Sequence, residues 1–173
     1  MKLLCLDIDG VCNNQQHISD NHGAKIGGVR QLSPVLCERV QRICTATGAQ
    51  ILLTSTWRLS TKRPRMQAML AARGLTARIV GYTPQILTRV DAIGYDEANR
   101  GVEIHRWLTQ APRGITGIVV IDDDPGACLD ANDDPFLYPW YVRTYFHSGI
   151  TEEDVPKAIM MLNKPAPEWL TPV

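Results

Sequence analysis

The chain has 173 residues, 45% hydrophobic and 21% charged, which suits one domain with a buried core. Its 18 Lys and Arg balance 18 Asp and Glu, so it lacks the global charge excess that marks many nucleic-acid and membrane-surface proteins. Residues 58–121 nevertheless carry ten Lys or Arg against four acids, and residues 122–173 three against ten. Such an asymmetry fits either an anionic ligand beside a metal site or scattered solvated faces.

Met1-Lys2-Leu3 reads as the start of a core strand rather than a signal peptide, and no apolar run approaches membrane-spanning length. Five cysteines, an odd count without C-x-x-C spacing, argue against structural zinc and a disulfide framework. A reducing, cytoplasmic setting is the expectation.

The first predicted strand, about Lys2 to Ile8, runs four apolar residues into Asp7-Ile8-Asp9-Gly10. Strand alternation sets Asp7 and Asp9 on one face at the carboxyl edge, where open α/β sheets bind ligands. Two like charges so close need a cation, a proton or strong solvation. Residues 12–33 lack periodicity and are expected to form a polar lid loop directly after the acidic turn. Ser33-Pro34 then gives an N-cap and first helical position. Leu36, Val40, Ile43 and Cys44 keep helical spacing up to Gly48. A short apolar strand, Ala49–Leu53, ends in Thr54-Ser55-Thr56-Trp57-Arg58, and a second helix is expected over Lys62–Arg73 with Met66, Met69 and Leu70 inward. Arg78–Gly81 is a brief strand, followed by a polar loop to about Asn99.

The helix after Arg100-Gly101 has Ile104, Trp107, Leu108 and Ala111 on one stripe. Gly117–Ile121 is a strongly buried strand that runs into Asp122-Asp123-Asp124. A fifth strand is expected over Tyr141–Phe146, and Thr151-Glu152-Glu153-Asp154 opens a last helix as a capping box. Pro156 sits awkwardly in that helix and suggests that its regular part begins there. The alternation gives an α/β fold, a three-layer doubly wound parallel sheet. Residues 1–163 form the expected domain, and 164–173 a tail.

Three predicted strand ends carry polar residues: Asp7/Asp9, Thr54/Ser55 and Asp122–Asp124. In a parallel sheet all three lie on one edge. Hard carboxylate oxygens without neighbouring His or Cys suit Mg²⁺ rather than zinc.

These residues resemble the haloacid dehalogenase-like (HAD) phosphohydrolases. The resemblance rests on Leu-Asp-Ile-Asp-Gly-Val (6–11), the hydroxyl at the second strand end, the basic residue before the helix leading into Gly117–Ile121, and Ile-Asp-Asp (121–123). Residues 47–58, 100–108, 120–124 and 149–155 are similar to the small HAD domains associated with RNA-repair proteins. The resemblance implies a Rossmann-like core with a small loop-like cap or none. It implies Asp7 as a nucleophile that forms an aspartyl-phosphate, and Asp9 as the acid/base. It also implies Mg²⁺ held by Asp7, the main-chain carbonyl of Asp9, and Asp123, with Asp122 beside them. Gly10 allows the sharp turn under the phosphate, and Thr54 or Ser55 holds a phosphate oxygen.

The family usually has lysine where this chain has Arg100, so the phosphate-binding cation is Arg100 or one of Lys62, Arg58 and Arg89. Trp57 is either packing or a stacking surface. The implied substrate is a phosphomonoester, a nucleic-acid end or nucleotide, with a small metabolite as the rival. A catalytically silent binding module of the same fold is the reading from another class. A phospho-receiver domain is disfavoured, because the third strand ends Val80-Gly81-Tyr82 with no Asp.

Overall fold

The computed structural model describes residues 1–90, 96–110 and 114–170. The side chain of Arg89 and residue Ala111, both named above, lie outside the described set.

In chain order the elements are β1 (Lys2–Leu6), α1 (Gln15–Asp20), α2 (Pro34–Thr47), β2 (Gln50–Leu53), α3 (Trp57–Ser60), α4 (Arg63–Ala71) and β3 (Ile79–Tyr82). They continue with β4 (Leu87–Val90), β5 (Asp96–Ala98), α5 (Arg100–Gln110), β6 (Gly117–Asp122), β7 (Tyr141–Arg143) and α6 (Asp154–Asn163). Five strands form one parallel sheet in the order β3-β2-β1-β6-β7. Strands β4 and β5 pair antiparallel in a separate ribbon, within the stretch expected as loop.

Alternation along the central strands builds a core on each face. Leu4, Leu6, Ile51, Leu53, Val119 and Ile121 pack with the apolar stripes of α2, α4 and α6. Leu3, Cys5, Leu52, Ile118 and Val120 pack with Ile104 and Leu108 of α5. Each cluster removes apolar surface from water at roughly 25 cal/mol per Å². The result is the three-layer, Rossmann-like α/β core that the spacing of apolar runs predicts. The chain progresses outward from β1 to β2 and β3, then returns to the other side of β1 with β6. The crevice between the carboxyl ends of β1 and β6 is therefore the topological switch point.

Helix ends follow local chemistry. Ser33 Oγ accepts from Leu36 N at the start of α2, and Gly48 closes it with φ +70°. Thr151 donates both its N–H and its hydroxyl to Asp154 Oδ2. Helix α6 begins at Asp154, so Pro156 occupies the first turn, where its missing N–H is no loss. Two expectations change. The segment 12–33 is not plain loop: it carries α1, capped by Asn14, and a 3-10 turn at Val29–Gln31. The fifth strand ends at Arg143 rather than Phe146. Residues 164–170 pack on the α5 side, where Ala166 N donates to Thr116 O and Trp169 stacks edge-on against His105. Among the described residues no helix is long and apolar enough to cross a membrane.

Candidate active site

Sheet register aligns the site. Leu6 of β1 pairs with Leu53 of β2 and with Ile121 of β6, so the next residues, Asp7, Thr54 and Asp122, fall in one row at the carboxyl edge. Main-chain bonds hold that row, from Asp7 N to Ile121 O (3.1 Å) and from Thr54 N to Leu6 O (2.9 Å). All three continue the alternation of Leu3/Cys5, Leu52 and Ile118/Val120, the side chains that face α5. Ser55 has the opposite parity. Its Oγ accepts from Trp57 N (3.4 Å) at the start of α3, whereas Thr54 Oγ1 lies 3.5 Å from the Arg100 guanidinium.

Arg100 is the first residue of α5. Its Nη1 donates to Asp7 Oδ1 at 2.8 Å and lies 3.5 Å from Asp122 Oδ2. Gly101 makes this approach possible, because a Cβ there would fall 1.8 Å from Leu129 O. Only glycine lets the start of α5 sit so close to the turn after Asp124. Burial alone would lower the Arg100 guanidinium. Asp7 and Asp122 outweigh it and hold the group above its ordinary value.

Asp7, Asp122 and Asp123 bring one carboxylate oxygen each within 4.8 Å of one another. Burial, then the charge of Asp7, pushes the carboxyls of Asp122 and Asp123 above the ordinary range. One guanidinium can balance only one of the three carboxylates when all are ionised. Asp122 Oδ2, fully buried, has no hydrogen-bond donor among the described residues, and the guanidinium at 3.5 Å is an ion-pair neighbour only. Hard oxygen donors with that residual charge fit a hard divalent cation such as Mg²⁺. Asp124 stands apart from the trio. It caps the following 3-10 turn through Gly126 N (2.8 Å), and its own N–H donates to Asp122 Oδ1 (3.0 Å). Tyr141 braces the same loop by donating its hydroxyl to the carbonyls of Asp122 and Asp124.

Asp9 departs from expectation. β1 ends at Leu6, and the Ile8 carbonyl then accepts from the N–H groups of Val11, Cys12 and Asn13. Strand alternation therefore does not reach Asp9, and the two carboxylates have different partners. Asp9 Oδ1 accepts from Asn13 Nδ2 at 2.7 Å, and Oδ2 from the Trp57 indole N–H at 2.9 Å. Asn13 also accepts the Gly10 N–H at 3.1 Å. Gly10 has φ +71°, and a Cβ would lie 2.3 Å from Asp123 Oδ2. The turn thus needs glycine for its conformation and for its clearance. Asp9 also lines a groove of about 260 Å³ with Ile26, Gly27, Thr56, Trp57 and Ser60.

Arg58 does not join the group around Asp7 and Arg100. Its guanidinium is buried and donates to the carbonyls of Thr54 (2.5 Å), Ser55 (3.0 Å), Thr83 (2.9 Å) and Pro84 (3.1 Å), and to Glu103 Oε2 (2.5 Å). It staples the ends of β2 and β3 to α5 from beneath. Burial pushes Arg58 down and Glu103 up, each opposed by the charge of the other. Lys62 is exposed at the start of α4. It lines a second groove of about 550 Å³ with Ser60, Thr61, Arg63 and Tyr82. Sequence reasoning gave Asn13 and Glu103 no role of their own and left Trp57 undecided. An Asn four residues after an acid, in a turn, was the one local signal for Asn13.

A switch-point crevice with a carboxylate row facing a helix-borne cation defines the class: this is the core of the HAD superfamily. More narrowly, the chain belongs to the family described as the HAD domain in Swiss Army Knife RNA repair proteins, whose model matches residues 3–155. No curated protein matches it.

Proposed function

We propose that this protein is a Mg²⁺-dependent phosphomonoesterase that works through an aspartyl-phosphate. The observation that carries the reading is the Asp7 carboxylate at the switch point, flanked by Arg100, Thr54, Asp122 and Asp123, with Asp9 held separately by its own donors.

Asp7 attacks phosphorus; the Asp7 Oδ–P bond forms as the P–O bond to the leaving group breaks. Asp9 gives its proton to the leaving oxygen, then takes one from the water that cleaves the aspartyl-phosphate and restores Asp7. Arg100 and the Thr54 hydroxyl hold the phosphoryl oxygens, the guanidinium by its two-pronged fork. Asp7, the Asp9 carbonyl and Asp123 would hold Mg²⁺, with Asp122 beside them. When bound, the ion screens phosphate charge from the incoming carboxylate.

Two things favour a phosphate on a nucleic-acid end as the substrate: the family's description as a domain of RNA repair proteins, and the groove at Lys62 and Arg63. That groove shares Ser60 with the one beside Asp9, which suits a chain that continues past the cleaved ester.

The test is phosphate release from 3′- and 5′-phosphorylated oligonucleotides, mononucleotides and sugar phosphates, with Mg²⁺ or with EDTA. Release that requires Mg²⁺ and is abolished in Asp7→Asn is expected. Full activity in that variant removes Asp7 as nucleophile.

A further inference from the structure

The Asp9 carboxylate is fixed from two sides, by its own turn and by a segment distant in sequence. Asn13, in the turn after β1, donates to Oδ1, and Trp57, on α3 after β2, donates its indole N–H to Oδ2. Two N–H donors, one per oxygen, define the plane of the carboxylate and stop its rotation about the Cβ–Cγ bond. Each oxygen keeps one further lone pair, so a proton on Asp9 has few sites and a set direction. Trp57 is itself held. Its ring is buried in the core with only 8% exposure, and its N–H is the polar edge that the packing leaves to Asp9. The groove lined by Ile26, Gly27, Thr56, Trp57 and Ser60 opens at this carboxylate, and among the described residues Asp9 is the only charged one lining it. The uncharged part of a leaving group, the part that carries the ester oxygen, suits such a lining.

We infer that Trp57 is a positioning residue for acid catalysis: its indole N–H aims the Asp9 carboxyl at the ester oxygen of a leaving group seated in this groove. The inference rests on the phosphomonoesterase reading above. In the step concerned the Asp9 O–H bond breaks as the proton bonds to the ester oxygen. The electron pair of the P–O bond stays on that oxygen, and Asp9 is left as a carboxylate.

The role has a signature that packing lacks. An aryl phosphate such as p-nitrophenyl phosphate expels a stable anion and needs little protonation, whereas an alkyl phosphate needs the proton. The experiment compares kcat/KM on both esters, which reports steps up to departure of the leaving group. The proteins are the wild type, Trp57→Phe, and Trp57→His, whose ring can return an N–H at the indole position. Thermal melting accompanies each. Trp57→Phe is expected to lose roughly 10-fold or more on the alkyl ester, part of the ~10²–10⁴ that a positioned acid supplies. Its loss on the aryl ester is expected to stay within about threefold, and Trp57→His is expected to recover much of the alkyl activity. Equal losses on both esters, or an unchanged or faster alkyl reaction in Trp57→Phe, overturn the inference while leaving the hydrolase reading intact. If Trp57→Phe does not fold, Trp57→His decides by the same ratio: an alkyl-to-aryl ratio near the wild type's supports the role of the N–H, and a loss shared equally by both esters overturns it. A wild-type protein inactive on every phosphomonoester overturns both readings.

Discussion

A single methyl group at position 10 probes how tightly the site is built. Gly10 adopts φ +71°, and its missing side chain is the space that Asp123 Oδ2 occupies. Gly10→Ala brings backbone strain of order 1–3 kcal/mol and a 2.3 Å clash with a candidate metal ligand. One of the two must move, and the carboxylate is the softer. A shift of ~1 Å in a catalytic group costs about 10²-fold. The expected outcome is a fall in kcat/KM of that order with the fold retained, checked by steady-state kinetics and circular dichroism. The carboxylates, the hydroxyls and Arg100 were legible in the sequence because each interrupts an apolar strand pattern or starts a helix. The orientation of Asp9 was not. Strand alternation predicts a shared face with Asp7, but the strand stops at Leu6 and three N–H groups converge on the Ile8 carbonyl, turning Asp9 toward Trp57.

Among the elements, the staple between Arg58 and Glu103 sets the floor of the site. It connects the residues after β2 and β3 with the first turn of α5, the helix that starts with Arg100. Replacing Arg58 by Ala leaves four carbonyls short of a donor and Glu103 buried without its cation. Breaking a buried pair from one side costs about 3–5 kcal/mol, so Arg58→Ala is expected to lower the denaturant midpoint steeply. Glu103→Gln keeps a hydrogen-bonding side chain and should cost less; chemical unfolding curves of the two variants rank them. Nothing in the sequence reveals this pair. Arg58 sits beside strand-end hydroxyls and reads as a phosphate ligand, while its partner lies 45 residues onward on a helix whose apolar stripe draws the eye. Helix and strand identity follow from local periodicity, but register does not, and register alone makes Thr54 rather than Ser55 face Arg100.

Across the whole molecule, the acidic crevice is expected to couple folding to protons and, on the proposed reading, to metal. Asp122 and Asp123 bind protons more tightly folded than unfolded, since burial and Asp7 raise both above the ordinary value of 3.8. Their contribution to stability is fully present below that value and is lost as pH rises through the raised one. Asp123→Asn removes one of these charges. In EDTA the variant is expected to melt above the wild type at pH 7, with the gap closing toward pH 4. If the site takes Mg²⁺ as proposed, the ion at a hundredfold excess over Kd is expected to add about 2.7 kcal/mol, worth several degrees in a chain of this size. That gain should favour the wild type, and thermal scans across pH with and without Mg²⁺ read both effects.

The Arg100 side chain has one more consequence, for the acid–base bookkeeping of the site. A guanidinium keeps its proton at any pH a protein survives, and the neighbouring carboxylates hold this one more firmly still. An amine in the same position would be a titratable group that deserts its anion in alkali. With Arg100 there, the crevice owns a fixed unit of positive charge. The response of the crevice to pH then falls to other groups, Asp122 and Asp123 among them, and not to its cation.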